Sequence, residues 1–430
     1  MSARIKGRRE ALATFARHLQ TGAVYPWVLV GLLSFNFGVV YFDRNTLNFL
    51  MPLIQPDLHL SNQQVGLLGS VLGASWAIAG FGIGRLSDAT GQRKLLLVAC
   101  ALVFSAASVL QGWVSGFAML VATRVLMGFA EGGVMPISQA LIAAEVDPAR
   151  RGLAMGVTQN FAANLLSNFL GPIVLVAIGE VLGWRRAFYL AGIPGVVAAL
   201  LMMWLIREPT RDELAKQSKE VASPVRRDVW KNRNVLLCIA LSILLVAFVV
   251  VFAIFMPLYL ANVRGLKPGT WSWLMSMFGL TSMAFAFLVP GSSDVLGRRP
   301  VVISMSLIGA LLPLSALYVD QPLWLVFVLF GLGAAISGCF PLAMATIPSE
   351  TVPPQQLASV LGLTMGFGEI IGGVVSPAVA GWIADVSGLQ ATLWMLVGLS
   401  AVTGILACFI RETAPRVLHR RLAGERLSAS

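Results

Sequence analysis

Long apolar runs separated by short polar segments recur along the whole chain. They fall at about 25–53, 62–86, 95–114, 118–143, 152–178 and 187–206, and again at about 235–261, 270–292, 300–318, 322–347, 356–383 and 389–410. Each reaches about 19 residues or more, enough for a helix to cross a hydrocarbon core of roughly 30 Å. The runs are continuously apolar, without the two-residue alternation of a membrane barrel. Gly and Pro are frequent inside them, as in membrane helices. The pattern predicts an all-α integral membrane protein with twelve transmembrane helices.

The polar stretch 207–234, containing EPTRDELAKQSKE and PVRRDVWKNRN, divides the runs into two sets of six. The expected organisation is a tail over 1–24, a six-helix bundle over 25–206, a linker over 207–234, a second six-helix bundle over 235–410 and a tail over 411–430. Within the linker, Asp212 to Val221 has the pattern of an amphipathic surface helix.

Composition agrees with the pattern. Hydrophobic residues make up 57% of the chain and charged ones 12%, against roughly 25% charged in a soluble domain. The net charge of +11 does not point to nucleic acid, because the basic residues lie between the apolar runs and at the two ends. With both termini cytoplasmic, only Arg185, Arg186, Arg264 and Lys267 of the 31 Lys and Arg fall outside, while Arg44 and Arg124 fall within spans. That asymmetry satisfies the positive-inside rule, whereas an odd number of spans would place the cluster from Arg411 to Arg426 on the wrong side. The expected location is the bacterial inner membrane. The first apolar run, from Tyr25, is long enough to remain as a span.

Enzyme and metal chemistry find no support. Cys100, Cys238, Cys339 and Cys408 lie far apart inside apolar runs and read as small buried hydrophobes. His18, His59 and His419 fall outside the spans. No cofactor is expected.

The halves repeat. Gly84-Arg-Leu-Ser-Asp88-Ala-Thr-Gly91-Gln-Arg93-Lys94 follows span two, and Asp294-Val-Leu-Gly297-Arg298-Arg299 follows span eight. Asp88 and Asp294, like Gly91 and Gly297, stand 206 positions apart, the signature of two equivalent bundles. The first segment resembles the loop 2–3 signature of the major facilitator superfamily, departing at Ala89 and Gln92; the second carries Pro290 in place of the leading Gly. The resemblance covers the chain and implies two six-helix bundles working by alternating access, as one subunit. It implies a conformational latch at Gly84, Asp88, Gly91, Arg93, Asp294, Gly297 and Arg298. Tyr41-Phe-Asp43-Arg44 and the stretch from Arg124 through Gly128 and Glu131 to Pro136 further resemble the anion:cation symporters. The Spinster-type lysolipid carriers show similar stretches.

Charges inside a membrane are rare and mark functional sites by default. Asp43, Arg44, Arg124 and Glu131 fall at such depths, and in the resembled fold spans one and four both border the central cavity. Arg124 and Glu131 lie seven residues apart on one face of span four, with Gly128 leaving space between them, and Asn36 and Asp43 share a face of span one. The expected roles follow from chemistry. Arg44, a permanent cation, pairs bidentately with a substrate carboxylate. Asp43 and Glu131 exchange protons, with Arg124 tuning Glu131 or extending the anion site, and a substrate on Arg44 alters how readily they do so. Tyr41, Gln159, Asn160 and Asn164, with Ser167 and Asn168 beside them, offer hydroxyl and amide contacts to a polyol acid. Glu369, alone in span eleven, is a further proton-coupling candidate. Tyr259 suits the aromatic belt, and Arg185 and Arg186 suit interface anchoring. The expected function is proton-coupled symport of a small organic anion, a sugar acid or another carboxylate. The alternative is a Spinster-like or multidrug-type carrier of lysolipids or other amphipathic compounds.

Overall fold

A computed structural model describes residues 24–147, 150–208 and 231–417 of the chain. The surface helix expected at Asp212 to Val221, most of the linker and the distal parts of both tails lie outside these residues. Among the described residues, twelve helices are long and apolar enough to cross a membrane. They are α1 (Tyr25–Asp57), α2 (Asn62–Thr90), α3 (Arg93–Gln111), α4 (Phe117–Glu145), α5 (Arg151–Leu182), α6 (Trp184–Leu205), α7 (Arg233–Val263), α8 (Pro268–Leu296), α9 (Arg298–Tyr318), α10 (Leu323–Thr351), α11 (Ser359–Ser387) and α12 (Leu389–Ala407). The protein is a multi-pass membrane protein.

Local chemistry sets the helix ends. Ser61 and Gln64 form a reciprocal capping box at the start of α2: the Ser61 hydroxyl accepts from the Gln64 amide at 3.1 Å, and the Gln64 side chain accepts from the Ser61 amide at 3.0 Å. Gly91 ends α2 in the left-handed region at φ 69°. Tight turns at Gly183 (φ 85°) and Gly388 (φ 82°) join α5 to α6 and α11 to α12. These two glycines stand 205 positions apart (183 and 388), so the repeat read from the loop motifs extends to the far end of each half. Exposed Trp113, Tyr318 and Trp324 lie at helix ends, where amphipathic rings suit the membrane interface.

Within the first half α2 packs on α4, α3 on α4 and α6, and α1 on α5; in the second, α7 packs on α11 and α12, and α8 on α10. Small residues make the α2–α4 crossing possible. A side chain at Gly128 would meet the Ser75 hydroxyl and the Leu72 carbonyl, and one at Gly132 would lie 2.5 Å from the Trp76 carbonyl. Gly128 therefore serves helix approach; it does not act as a spacer between Arg124 and Glu131.

The halves meet through α2 with α11 and α5 with α8. Contact is tight at the end that carries Asn62. Asp385 of α11 accepts from the backbone amides of Asn62 and Gln63 at 2.8 and 2.9 Å, a carboxylate set on the N-terminus of α2. A Cβ at Gly66 would lie 2.1 Å from the Pro377 carbonyl, and one at Gly381 2.5 Å from the Asn62 carbonyl. At the opposite end the same four helices part. A Cβ at Gly82 of α2, Gly152 or Gly156 of α5, Gly291 of α8, or Gly362 or Gly366 of α11 would meet no described atom of another helix within 4 Å. The molecule is closed at the Asn62 end and open at the end that carries Arg93 and Arg298.

Candidate functional site

Between the halves lies a cavity of about 150 Å³. Helix α1 gives it Tyr41, Arg44, Asn45 and Asn48, the i, i+3, i+4, i+7 stripe of one helix face. Arg44 is the central group. Its Nε donates to Glu131 Oε2 at 2.9 Å, its side chain is 19% exposed, and that of Glu131 is fully enclosed. The guanidinium lies 5.1 Å from the ring centre of Tyr41 and 5.6 Å from that of Trp76. Aromatic faces hold the cation without consuming its donors, and among the described residues neither terminal nitrogen meets a hydrogen-bond partner, so both can serve a ligand.

Arg124 braces this arrangement from behind. It is buried, donating from Nη1 to the Arg44 carbonyl at 3.0 Å. Below Arg44, Ser167 of α5 links the two helices: its hydroxyl donates to the Tyr41 carbonyl at 2.8 Å and accepts from Asn45 at 2.9 Å. Asn48 in turn donates to Asn45 at 3.0 Å. The amide ladder of α5 is self-satisfied. Asn168 donates to the Asn164 side chain at 2.9 Å, Asn164 to the Asn160 carbonyl at 3.0 Å and Asn160 to the Gly156 carbonyl at 3.1 Å.

Glu369 faces this group from the second half. It lines the cavity and interacts electrostatically with Arg44, yet forms no ion pair within 4.0 Å among the described residues. It sits on a π-helical stretch, Gly368–Val375, and α5 has a matching one at Ala163–Leu170. The two begin 205 positions apart (163 and 368). Such widened turns recur at functional sites; here they carry Glu369 on one side and Asn168 on the other.

Several sequence-predicted residues sit elsewhere. Asp43 and Asn36 are fully buried and do not line the cavity; Asn36 meets no hydrogen-bond partner among the described residues, and the Asp43 carboxyl lies beside the Ser108 hydroxyl. Adjacent residues on a helix point about 100° apart, so with Arg44 in the cavity Asp43 turns into the first bundle, beside Ser108, Glu131 and Arg124. Asp43 and Arg44 are thus not one polar lining. Gln159, Asn160 and Asn164 are also absent from the cavity wall; Asn160 is exposed along α5, toward the open end. Tyr259 is buried in the core, not placed in an aromatic belt, and exposed Cys408 departs from the other three cysteines because it lies just beyond the end of α12. Arg185 is tied to Asp57 at 2.7 Å and stacked on Trp184. Trp76, Asn45 and Asn48 were missed; the Tyr-Phe-Asp-Arg-Asn-Thr-Leu-Asn run that holds the two amides carried the signal for them.

The loop-motif arginines make the following contacts inside their own halves. Arg93 lies 3.7 Å from Asp88 and donates to the Ala140 carbonyl of α4 at 3.1 Å. Arg298 pairs with Asp294 at 2.6 Å and with Glu350 of α10 at 2.8 Å. Gly297, at φ 107°, packs against Glu412, which accepts from the Arg298 amide at 2.8 Å. Gly84 faces Pro136 of α4 at ordinary contact distance.

The family model of the Major Facilitator Superfamily matches residues 33–271 and 252–429. A probable 4-methylmuconolactone transporter of Cupriavidus pinatubonensis is 28% identical over 379 residues, covering 85% of this chain and 86% of that protein. The hexuronate transporter of Bacillus subtilis is 29% identical over 404 residues, covering 87% and 92%. Among solved structures, a bacterial homolog of the human lysosomal transporter Spinster, inward-facing and unoccupied, superposes with a TM-score of 0.75 at 16% identity, covering 90% of this chain and 97% of that one.

Proposed function

The chain belongs to the Major Facilitator Superfamily, and we propose that it is a secondary active transporter that moves a small organic anion together with protons by alternating access. The observation that carries this reading is the Arg44–Glu131 contact at the cavity wall. Two relatives named as transporters of 4-methylmuconolactone and of hexuronate support the anionic substrate. On this reading the termini are cytoplasmic, the membrane is the bacterial inner membrane, the working unit is a monomer and the open end faces the cytoplasm.

Coupling follows from competition for one guanidinium. Without substrate, Glu131 neutralises Arg44. Protonation of Glu131 removes its charge and leaves the positive charge of Arg44 to a substrate carboxylate, which the two terminal nitrogens can hold bidentately. The loaded site then carries one proton and one anion. On the cytoplasmic side, loss of that proton lets Glu131 reclaim Arg44 and expels the substrate. Arg124, held on the Arg44 carbonyl, positions the helix for this exchange. Asp43, beside both groups, and Glu369, across the cavity, are further proton carriers. The loop charges around Asp88 and Asp294 hold each half rigid while the halves rock.

The apolar wall contributed by α7 and α8 favours a second reading, a proton-coupled carrier of lysolipids or drugs. Proteoliposomes decide between them. With acid outside, carboxylate uptake that collapses in Arg44→Ala supports the anion symporter. Stabilisation by lysolipids alone, with carboxylates inert, supports the second reading.

A further inference from the structure

The cavity is built from repeat-related positions. Residues 44, 45, 47, 48 and 49 of α1 line it, and so do 249, 250, 252, 253 and 254 of α7, each 205 positions further on. Asn168 and Gly373 obey the same offset. The chemistry does not repeat. Arg44, Asn45 and Asn48 have as counterparts Val249, Val250 and Ala253, and Asn168 has Gly373. Phe278 and Met275 of α8 extend the apolar wall, with the Phe252 and Phe278 ring centres 4.4 Å apart and the rings tilted by 40°. Among the described residues, Glu369 is the one ionisable group that the second half contributes to the cavity lining.

A substrate spanning this cavity meets donors on one side and hydrocarbon on the other. We propose that it is a monocarboxylate with a compact apolar or aromatic body, its carboxylate on Arg44 and its body against α7 and α8. This deepens the organic-anion reading and rests on it. Hydroxyls on the far side of a sugar acid would be buried against Val249, Val250 and Ala253 with no partner, a penalised arrangement. A second carboxylate would meet Glu369, and the other arginine lining the cavity, Arg124, is buried and spends a donor on the Arg44 carbonyl.

The test compares 3-phenylpropionate, glucuronate and succinate as substrates in proteoliposomes with an acid exterior. The inference expects 3-phenylpropionate to be taken up at concentrations about tenfold or more below those needed for the other two, the scale of burying unpaired polar groups. The double variant Val249→Asn/Val250→Asn should narrow that preference by weakening 3-phenylpropionate and admitting glucuronate. Arg44→Ala should abolish uptake of all three. Equal or better uptake of glucuronate or succinate, still dependent on Arg44, overturns the inference and leaves the anion reading intact. Failure of every carboxylate to be transported or to compete for the site, while Arg44→Ala behaves as wild type, overturns the anion reading itself.

Discussion

Nε of Arg44 and Oε2 of Glu131 meet at 2.9 Å, joining α1 to α4 where the cavity wall turns from polar to enclosed. The Nε edge of the guanidinium is spent on the protein, and its terminal edge is open to the cavity. The substitution Arg44→Lys keeps the charge and loses the fork. A hydrogen bond to a charged group contributes about 1.5–3 kcal/mol, so carboxylate affinity should fall on the order of 10- to 100-fold, read by equilibrium binding.

Glu131→Gln separates binding from coupling. The amide still fits beside Arg44 but cannot ionise. Accumulation driven by a proton gradient should be lost, while exchange of labelled for unlabelled substrate across the membrane should persist within roughly threefold, or about 0.7 kcal/mol. Loss of both together would mean that Glu131 only holds the helices in place.

The spans and the two-fold repeat were legible in the sequence because lipid imposes a single rule on every segment: enough apolar residues, with all backbone groups paired inside a helix. The pairing of Arg44 with Glu131 was within reach for a related reason, since charges at matching depth have few other partners. Facing was not legible. A residue in α1 can point to lipid, to its own bundle or to the cavity, and Asp43 and Arg44, neighbours in sequence, take two different answers. The π-helical stretches holding Asn168 and Glu369 leave no mark in hydropathy. Gln159, Asn160 and Asn164 suggested a polar cavity wall, but the helix register brings only Asn168 of that group to the cavity. Asp385, which caps α2 at the Asn62 end, lies in the last turn of α11 beyond the apolar run, where nothing in the pattern distinguishes it from a solvated carboxylate.

Asp385 should hold the closed end shut. Removing a carboxylate cap from a helix N-terminus costs about 1 kcal/mol, which is roughly a fivefold change in the ratio of conformers. With Cys408 replaced and Val249→Cys introduced as a reporter, Asp385→Ala should raise thiol labelling from the outer side by about that factor. Unchanged labelling would show that the α2–α11 packing alone sets the equilibrium.

Two glycine substitutions should fail in different ways. Gly66→Val places atoms against the Pro377 carbonyl across the halves, so it should block closure and trap the outward-facing form with little loss of thermal stability. Gly128→Val places them against Ser75 and Leu72 inside the first bundle, so it should lower the melting temperature or prevent folding, with core overpacking of about 1–3 kcal/mol or more. Melting curves of both variants, beside the labelling assay, distinguish the outcomes.

The competition of Glu131 and substrate for Arg44 can be read as proton movement. Purified protein in weakly buffered solution, held where Glu131 is ionised, is mixed with the transported carboxylate and the change in pH is recorded with an indicator dye. The account predicts saturable proton uptake on binding, lost or reduced in Glu131→Gln, which still binds. Saturable binding to the wild-type protein with no proton uptake, or uptake undiminished in Glu131→Gln, would contradict it.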